Sequence, residues 1–188
     1  MAHRHLSRVT TCIIAAIFTS VLLCPGIVQA VVPASSRNKF EVGFSPQGSS
    51  LEIILAGIQQ AKKSILVAAY SFTSKPVSSA LLDAHKRGVK VQVIADKKSN
   101  TGRYSAVTFL ANQGVPVRLN GNYQIFHHKF MVFDGRHVET GSFNYSAAAA
   151  NKNAENVLMI LNNKSVADMY TQQWKCLWNE SSDVKQNY

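Results

Sequence analysis

The sequence predicts an α/β protein in which a mixed β-sheet is flanked by helices. Strand-like and helix-like segments alternate along the chain, which is the order expected when helices cover a largely parallel sheet. Ser64–Phe72 is a nearly continuous apolar run, as a central strand buried on both faces requires. Farther along, Asp134 and Gly135 stand between two strand-like segments. This pair predicts a tight β-hairpin, and therefore an antiparallel part of the sheet.

Seven segments have the composition and spacing of strands. Apolar and β-branched residues dominate them, and turn-forming residues stand between them. In chain order they are Phe40–Phe44, Ser64–Phe72, Val89–Ala95, Val115–Leu119, Tyr123–Phe133, His137–Ser142 and Glu155–Leu161. The earlier strands are separated by helices, whereas the hairpin places two of the later ones side by side.

Four helices are predicted, and most carry a start or stop signal. A serine at position 49 or 50 caps the first helix, whose leucine and isoleucine residues fall on one face. Pro76 suits the first turn of the second helix, and Gly88 closes it. The third helix ends near Gly114, and the last covers Val166–Trp178.

The first thirty residues are predicted to be a cleaved export signal. Arg4 and Arg8 precede an apolar stretch, Cys12–Cys24, and Val28–Ala30 offers small residues at the usual cleavage positions. The apolar stretch is shorter than the roughly 20 residues that cross a bilayer. An uncleaved N-terminal anchor is the alternative. We therefore expect residues 31–188 to form a single domain, located in the periplasm or secreted.

The mature chain is strongly basic and almost free of cysteine. Without residues 1–30 and their two arginines, 158 residues remain, and the net charge of +10 becomes +8. The composition, 46% hydrophobic and 16% charged, excludes a disordered chain and a multi-spanning membrane protein. Cys176 alone remains, which excludes an intramolecular disulfide. The charge favours a polyanionic partner, either nucleic acid or an anionic membrane surface.

Candidate catalytic groups are concentrated between His127 and Glu155. In an extended strand, His127 and Lys129 share one face. A lysine neutralises phosphate charge and favours the neutral imidazole, which is the form able to attack phosphorus. Ser142 and Asn144 lie where the next strand ends and could hold phosphoryl oxygens. Glu155 could accept a hydrogen bond from a histidine and so orient its ring.

A metal-dependent mechanism is disfavoured by the distribution of acidic residues. The ten Asp and Glu are scattered, and no D-x-D, D…E-x-K or H-x-x-x-H cluster occurs. Divalent-metal sites normally need grouped carboxylates or imidazoles, and Lys129 would repel a cation from His127. We therefore expect no metal and no cofactor.

The spacing of these residues matches a known signature. His127-x-Lys129 is followed at fixed distances by Asp134, by Gly141-Ser142 and by Asn144, as in the HxK(x)4D(x)6GSxN motif of the phospholipase D superfamily. Further segments resemble the small bacterial Nuc-type endonucleases, and the similarity covers roughly residues 40–180. These segments are Val42–Pro46, Ala69–Phe72, Asn100–Arg103 and Glu139–Asn144.

The resemblance implies a phospholipase D-like sandwich and a role for each motif residue. His127 would be the nucleophile and form a phosphohistidine, and Lys129 would bind the scissile phosphate. Ser142 and Asn144 would complete the phosphate pocket, and Glu155 would hold the His127 ring.

Asp134 also belongs to the signature and is counted among the catalytic candidates. Because it stands in the turn with Gly135, we expect its role to be mainly structural, in shaping the hairpin that carries the site.

The chain contains one copy of the motif, whereas larger superfamily members resemble two fused motif-bearing halves. Transfer through a histidine needs a nucleophile and an acid for the leaving oxygen. A two-fold homodimer with the active site at its interface would supply both from two copies of His127. One ring must be neutral and the other protonated, so we expect activity to peak near or below neutral pH.

Three functions fit these residues. The first is a metal-independent, non-specific endonuclease that acts on DNA and also on RNA. The second is a phospholipase D that hydrolyses phosphatidylcholine-type lipids to phosphatidic acid. The third, an inactive nucleic-acid-binding protein, is disfavoured because the motif is intact.

Overall fold

The computed structural model describes residues 39–102 and 105–184. The predicted export signal and Arg103 lie outside these residues. The described residues form one eight-stranded sheet in the order β1-β7-β6-β5-β2-β3-β4-β8. Its strands are β1 (Lys39–Ser45), β2 (Ser64–Ala69), β3 (Lys90–Asp96), β4 (Val117–Asn120), β5 (Lys129–Phe133), β6 (His137–Gly141), β7 (Glu155–Leu161) and β8 (Ser182–Asp183).

The sheet is mixed, as the sequence predicted. The pairs β2–β3 and β3–β4 are parallel, and the other pairs are antiparallel. The hairpin predicted at Asp134 and Gly135 joins β5 to β6, and both residues have positive φ, 54° and 63°. Residues 134–136 connect the strands, and the Arg136 amide donates to the Phe133 carbonyl at 3.0 Å, which closes a tight turn around the two left-handed residues.

Helices cover both faces of the sheet, which confirms the predicted fold class. They are α1 (Ser50–Gln60), α2 (Lys75–Lys86), α3 (Ala106–Asn112), α4 (Ala147–Asn151) and α5 (Lys164–Asn179). The first three pack with the larger apolar core on one face, and α5 packs with a second core on the other. The indole of Trp174 in α5 donates to the Val67 carbonyl of β2 at 2.9 Å, which fixes this helix over the middle of the sheet. No helix in the described part of the chain is long and apolar enough to span a membrane.

The helix ends follow the expected signals, with one exception. Pro76 lies in the first turn of α2, where Ser74 accepts a hydrogen bond from the Val77 amide, and Gly88 beyond its end has a φ of 87°. Ser49 stands at the N-cap of α1, but its side chain makes no capping hydrogen bond.

One predicted strand is too long at its start. Residues 123–128 are irregular, and β5 begins only at Lys129. The reason is the buried carboxylate of Asp96, which accepts the Phe126 amide at 3.0 Å, so this amide does not pair with a neighbouring strand. The buried Phe126 ring belongs to the core under α5.

The α5 side of the sheet is incompletely covered. Phe40, Val42 and Phe44 alternate along the edge strand β1 and are 56%, 54% and 63% exposed. Across β7 they pair with Ile160, Leu158 and Asn156, and Ile160 packs against the α5 core. We call Phe40, Val42, Phe44 and Leu158 the β1 face. In the described part of the chain, α5 is the helix on this side, and it leaves the β1 face open.

Candidate active site

An open cleft of about 590 Å³ lies at one end of β5, β6 and β7. Since β6 runs antiparallel to both neighbours, its C-terminal end meets the N-terminal ends of β5 and β7. Strand order thus brings together residues far apart in sequence. The cleft is lined by His127, Lys129, Gly141, Ser142, Asn144 and Glu155.

His127 and Lys129 are held against the same aromatic ring. The His127 ring lies 4.7 Å from the Tyr70 ring, between centroids, and Lys129 Nζ lies 5.2 Å from the same ring. Lys129 Nζ also donates to the His127 carbonyl at 3.0 Å. His127 precedes β5 instead of lying within it, but the two side chains still face one cleft. Burial lowers the pKa of Lys129, and the nearby Glu155 carboxylate opposes that shift.

His128 packs against two other aromatic rings. Its ring meets those of Phe126 and Phe130 edge-on, at centroid distances of 5.2 and 5.6 Å. It lines a neighbouring recess of about 400 Å³ with Phe130, Met169 and Tyr170, which also reaches His127 and Lys129. The two adjacent histidines are therefore in different surroundings.

Ser142 and Glu155 are joined directly. Ser142 Oγ donates to Glu155 Oε2 at 2.6 Å and accepts from the Asn156 amide at 3.0 Å. Asn153 Nδ2 donates to the other carboxylate oxygen, Glu155 Oε1, at 3.0 Å. The expected hydrogen bond from the His127 ring to Glu155 is not formed in the structure, where the carboxylate oxygens accept from Ser142 and Asn153. Glu155 does line the cleft that His127 lines.

Asn144 completes the polar wall of the cleft. Its Oδ1 is buried and has no hydrogen-bond partner among the described residues. Protein contacts to this oxygen therefore do not fix the carboxamide, and a bound phosphoryl group could orient it by accepting a hydrogen bond from Nδ2.

Asp134 does not line this cleft. It follows β5 at the far end from Lys129, about 17 Å away at the usual rise per strand residue. Its carboxylate accepts hydrogen bonds from the Lys62, Lys63 and Ser64 amides at 2.7 to 3.2 Å. Burial raises the pKa of Asp134, but these three amide donors outweigh it and lower the pKa overall. Asp134 ties the hairpin to the start of β2, in agreement with the expected structural role.

Sequence reasoning missed Tyr70 as a part of the site and Asn100 as the residue that holds the Tyr70 main chain. Tyr70 follows β2 directly, and β2 pairs with β5 so that Ala69 lies opposite Lys129. The buried Asn100 donates to the Tyr70 carbonyl at 2.6 Å and accepts from the Phe72 amide at 3.0 Å. In the sequence, the polar residues Tyr70 and Ser71 interrupt the apolar run of β2. The strand order is needed to show that this end of β2 lies beside Lys129 of β5.

No group of three or more His, Cys, Asp or Glu side chains suited to a metal ion occurs in residues 39–102 and 105–184. The cleft instead combines one imidazole, one ammonium group, a hydroxyl, a carboxamide and a carboxylate. These groups can attack phosphorus, offset the charge of a phosphate and hold its oxygens.

An α/β sandwich with this cleft at the end of its sheet defines a hydrolase of phosphodiester bonds. The chain belongs to the phospholipase D superfamily, in its Nuc-type branch. Residues 54–178 match the family described as "Cardiolipin synthase, PLD-like domain".

Known proteins resemble the chain both in sequence and in structure. The crystal structure of Nuc, a phospholipase D family member from Salmonella typhimurium, is 41% identical with a TM-score of 0.77, and the match covers 79% of this chain and 99% of Nuc. A phospholipase D of Rickettsia bellii is 33% identical over 80% of this chain and 74% of its own length. The mitochondrial cardiolipin hydrolase of Xenopus laevis is 32% identical, over 89% and 80% respectively.

Proposed function

We propose that the protein is a metal-independent endonuclease that cleaves DNA, and RNA as a second substrate, through a phosphohistidine on His127. The observation that carries this proposal is the cleft, where His127 and Lys129 face Ser142 and Asn144. The net charge, which is +10 for the full sequence and +8 without residues 1–30, and the likeness to Nuc favour a nucleic-acid substrate over a neutral lipid surface. We also propose that residues 1–30 direct the protein to the periplasm or the medium.

The proposed reaction has two steps. A neutral His127 ring attacks phosphorus, the bond to the leaving oxygen breaks, and an imidazolium donates a proton to that oxygen. Water then attacks the phosphohistidine, the nitrogen–phosphorus bond breaks, and the proton lost by water returns to the second imidazole. Lys129 offsets the charge on the non-bridging oxygens, which Ser142 and Asn144 border.

The second imidazole is assigned to a homodimer partner. The β1 face is apolar and is left uncovered by the described residues, and it lies near the cleft, because Phe44 pairs with Asn156, whose amide donates to Ser142 Oγ. A second copy packed on this face by a two-fold axis would bury the same surface on both subunits. It would bring His127 of the partner subunit toward the same cleft.

A lipid substrate is the second candidate. The recess beside the cleft is lined by Phe130, Met169 and Tyr170 and is more apolar than the cleft itself. It could accept the glycerol and acyl portion of a phospholipid, and curated relatives carry the names phospholipase D and cardiolipin hydrolase.

Turnover of two substrates in excess EDTA separates these functions. The full chain, His127→Ala and His85→Ala are incubated with plasmid DNA and, separately, with phosphatidylcholine vesicles. His85 lies in the last turn of α2, away from the cleft, so its variant is the matched control.

Nicking of DNA that His127→Ala loses and His85→Ala retains supports the endonuclease. Choline release without nicking supports the phospholipase instead. Loss of all wild-type activity in EDTA contradicts the metal-independent mechanism, and equal activity of His127→Ala contradicts the assigned nucleophile.

A further inference from the structure

A buried carboxyl group lies on β6 directly behind the cleft. Glu139 is fully buried between Met131 of β5 and Met159 of β7. Its Oε2 accepts a hydrogen bond from the Tyr145 hydroxyl at 2.7 Å, and its Oε1 has no hydrogen-bond partner within the described residues. Burying a half-satisfied carboxyl group is costly, so a residue that served packing alone would be apolar.

Tyr145 connects this carboxyl group to the end of β2. Its fully buried ring packs on Phe72 at a centroid distance of 5.7 Å, and its carbonyl accepts the Thr73 and Ser74 amides at 2.9 and 2.8 Å. Tyr145 follows Asn144 directly in the chain. Both its side chain and its main chain are therefore held, one residue from the wall of the cleft.

The segment Ser142–Asn144 is consequently anchored at two ends. On one side, Gly141 pairs with Val157 in the sheet, and the Ser142 amide donates to the Asn156 carbonyl at 3.1 Å. On the other side stands Tyr145, whose hydroxyl is bonded to Glu139.

Burial raises the pKa of Glu139 to about 8, although the Tyr145 hydrogen bond opposes this. The carboxyl group is therefore mostly neutral at pH 7 and can accept from the tyrosine hydroxyl without a buried charge.

We propose that Glu139 and Tyr145 form a positioning pair whose hydrogen bond sets the place of Ser142 and Asn144 against the scissile phosphate. The pair acts through the segment Ser142–Asn144 and does not touch the substrate. The proposal rests on phosphodiester hydrolysis in the cleft, but not on nucleic acid as the substrate.

The test compares variants of the full chain on bis(p-nitrophenyl) phosphate, a diester with neither base nor lipid. Tyr145→Phe and Glu139→Leu remove the hydrogen bond while nearly preserving volume, and each should lower kcat/KM by about 10-fold or more, as small misplacements of binding groups do. Glu139→Gln keeps an acceptor oxygen and should stay within about 3-fold of the wild type, because the amide can still receive the tyrosine hydroxyl.

A matched control separates positioning from loss of stability. Val138 is the adjacent fully buried residue of β6 and packs in the core on the opposite face of the sheet. Val138→Ala should lower the melting temperature and leave kcat/KM unchanged for the folded fraction.

Two further measurements locate the effect in the segment Ser142–Asn144. In an Asn144→Ala background, Tyr145→Phe should cost less than it does alone, because residues that act through each other are not additive. Amide hydrogen exchange at residues 142–144 should be faster in Tyr145→Phe and Glu139→Leu and unchanged in Val138→Ala.

The positioning pair is refuted if Tyr145→Phe matches Val138→Ala in both kcat/KM and exchange. It is also refuted if Glu139→Gln loses as much activity as Glu139→Leu. A wild-type chain that hydrolyses neither this diester nor DNA would contradict the proposed function instead, and hydrogen exchange would still decide whether the pair holds the segment.

Discussion

Replacing Glu139 by glutamine should change how stability depends on pH. Glu139 is fully buried with one hydrogen bond, and its pKa is raised from 4.5 to about 8. The unfolded chain therefore releases this proton at a lower pH than the native state does. Wild-type stability should then fall as pH rises from about 4.5 to about 8 and level off above that range, where both states are ionised. Glutamine does not titrate, so Glu139→Gln should lack this decline.

The size of the effect follows from the gap between the two pKa values. A gap of about 3.5 pH units, at about 1.4 kcal/mol for each unit, corresponds to an upper bound of about 5 kcal/mol. A rearrangement that admits water or a second donor to the ionised group would reduce this figure. We therefore expect the difference in unfolding free energy between variant and wild type to grow by several kcal/mol from pH 5 to pH 9.

Urea unfolding of both full-length proteins at pH 5, 6, 7, 8 and 9 measures this difference. Glu52→Gln is the control, because Glu52 is exposed on α1 and its replacement should leave the pH dependence unchanged. Parallel stability curves for wild type and Glu139→Gln would refute the argument, since they would mean that Glu139 does not hold its proton in the native state.

Three other predictions concern the hairpin, the cleft and the β1 face. Asp134→Ala should lower the free energy of unfolding by about 2 kcal/mol, because three amides lose a charged acceptor, yet leave kcat/KM of the folded fraction unchanged. Because the native pKa of Asp134 is lowered, its contribution should be present above pH 4 and disappear under more acidic conditions, as acid unfolding will test. Tyr70→Ala should lower kcat/KM on DNA about 10-fold or more. Tyr70→Phe should keep the wild-type kcat/KM, because the ring stays beside His127 and Lys129. Equal losses in the two variants would contradict a role for the ring. Phe44→Glu should be inactive and should be a monomer when its mass is measured by light scattering. Phe109→Glu, which charges an exposed apolar residue on α3, is the control and should remain dimeric. An active Phe44→Glu dimer would contradict the proposed interface.

Local sequence signals predicted most elements because each signal acts over a few residues. The turn at Asp134 and Gly135, the proline at the start of α2 and the apolar strand β2 all appear in the structure, although β2 ends at Ala69 and not at Phe72. The overlong strand before Lys129 marks the limit of such signals. Phe126 has strand-forming character, but its amide bonds to Asp96, which is 30 residues earlier in the chain. No local pattern encodes a partner that distant.

The chemical groups of the site and their spacing along the chain follow from the amino-acid sequence alone. His127, Lys129, Ser142, Asn144 and Glu155 were all named from it, and all five line one cleft. The folded structure was needed to show which atoms meet, because hydrogen bonds depend on strand order and burial. It placed Glu155 on Ser142, set Tyr70 beside His127, and buried Glu139 against Tyr145. A residue's chemistry is local, whereas its protonation and its partners are set by neighbours that the chain brings near only when it folds.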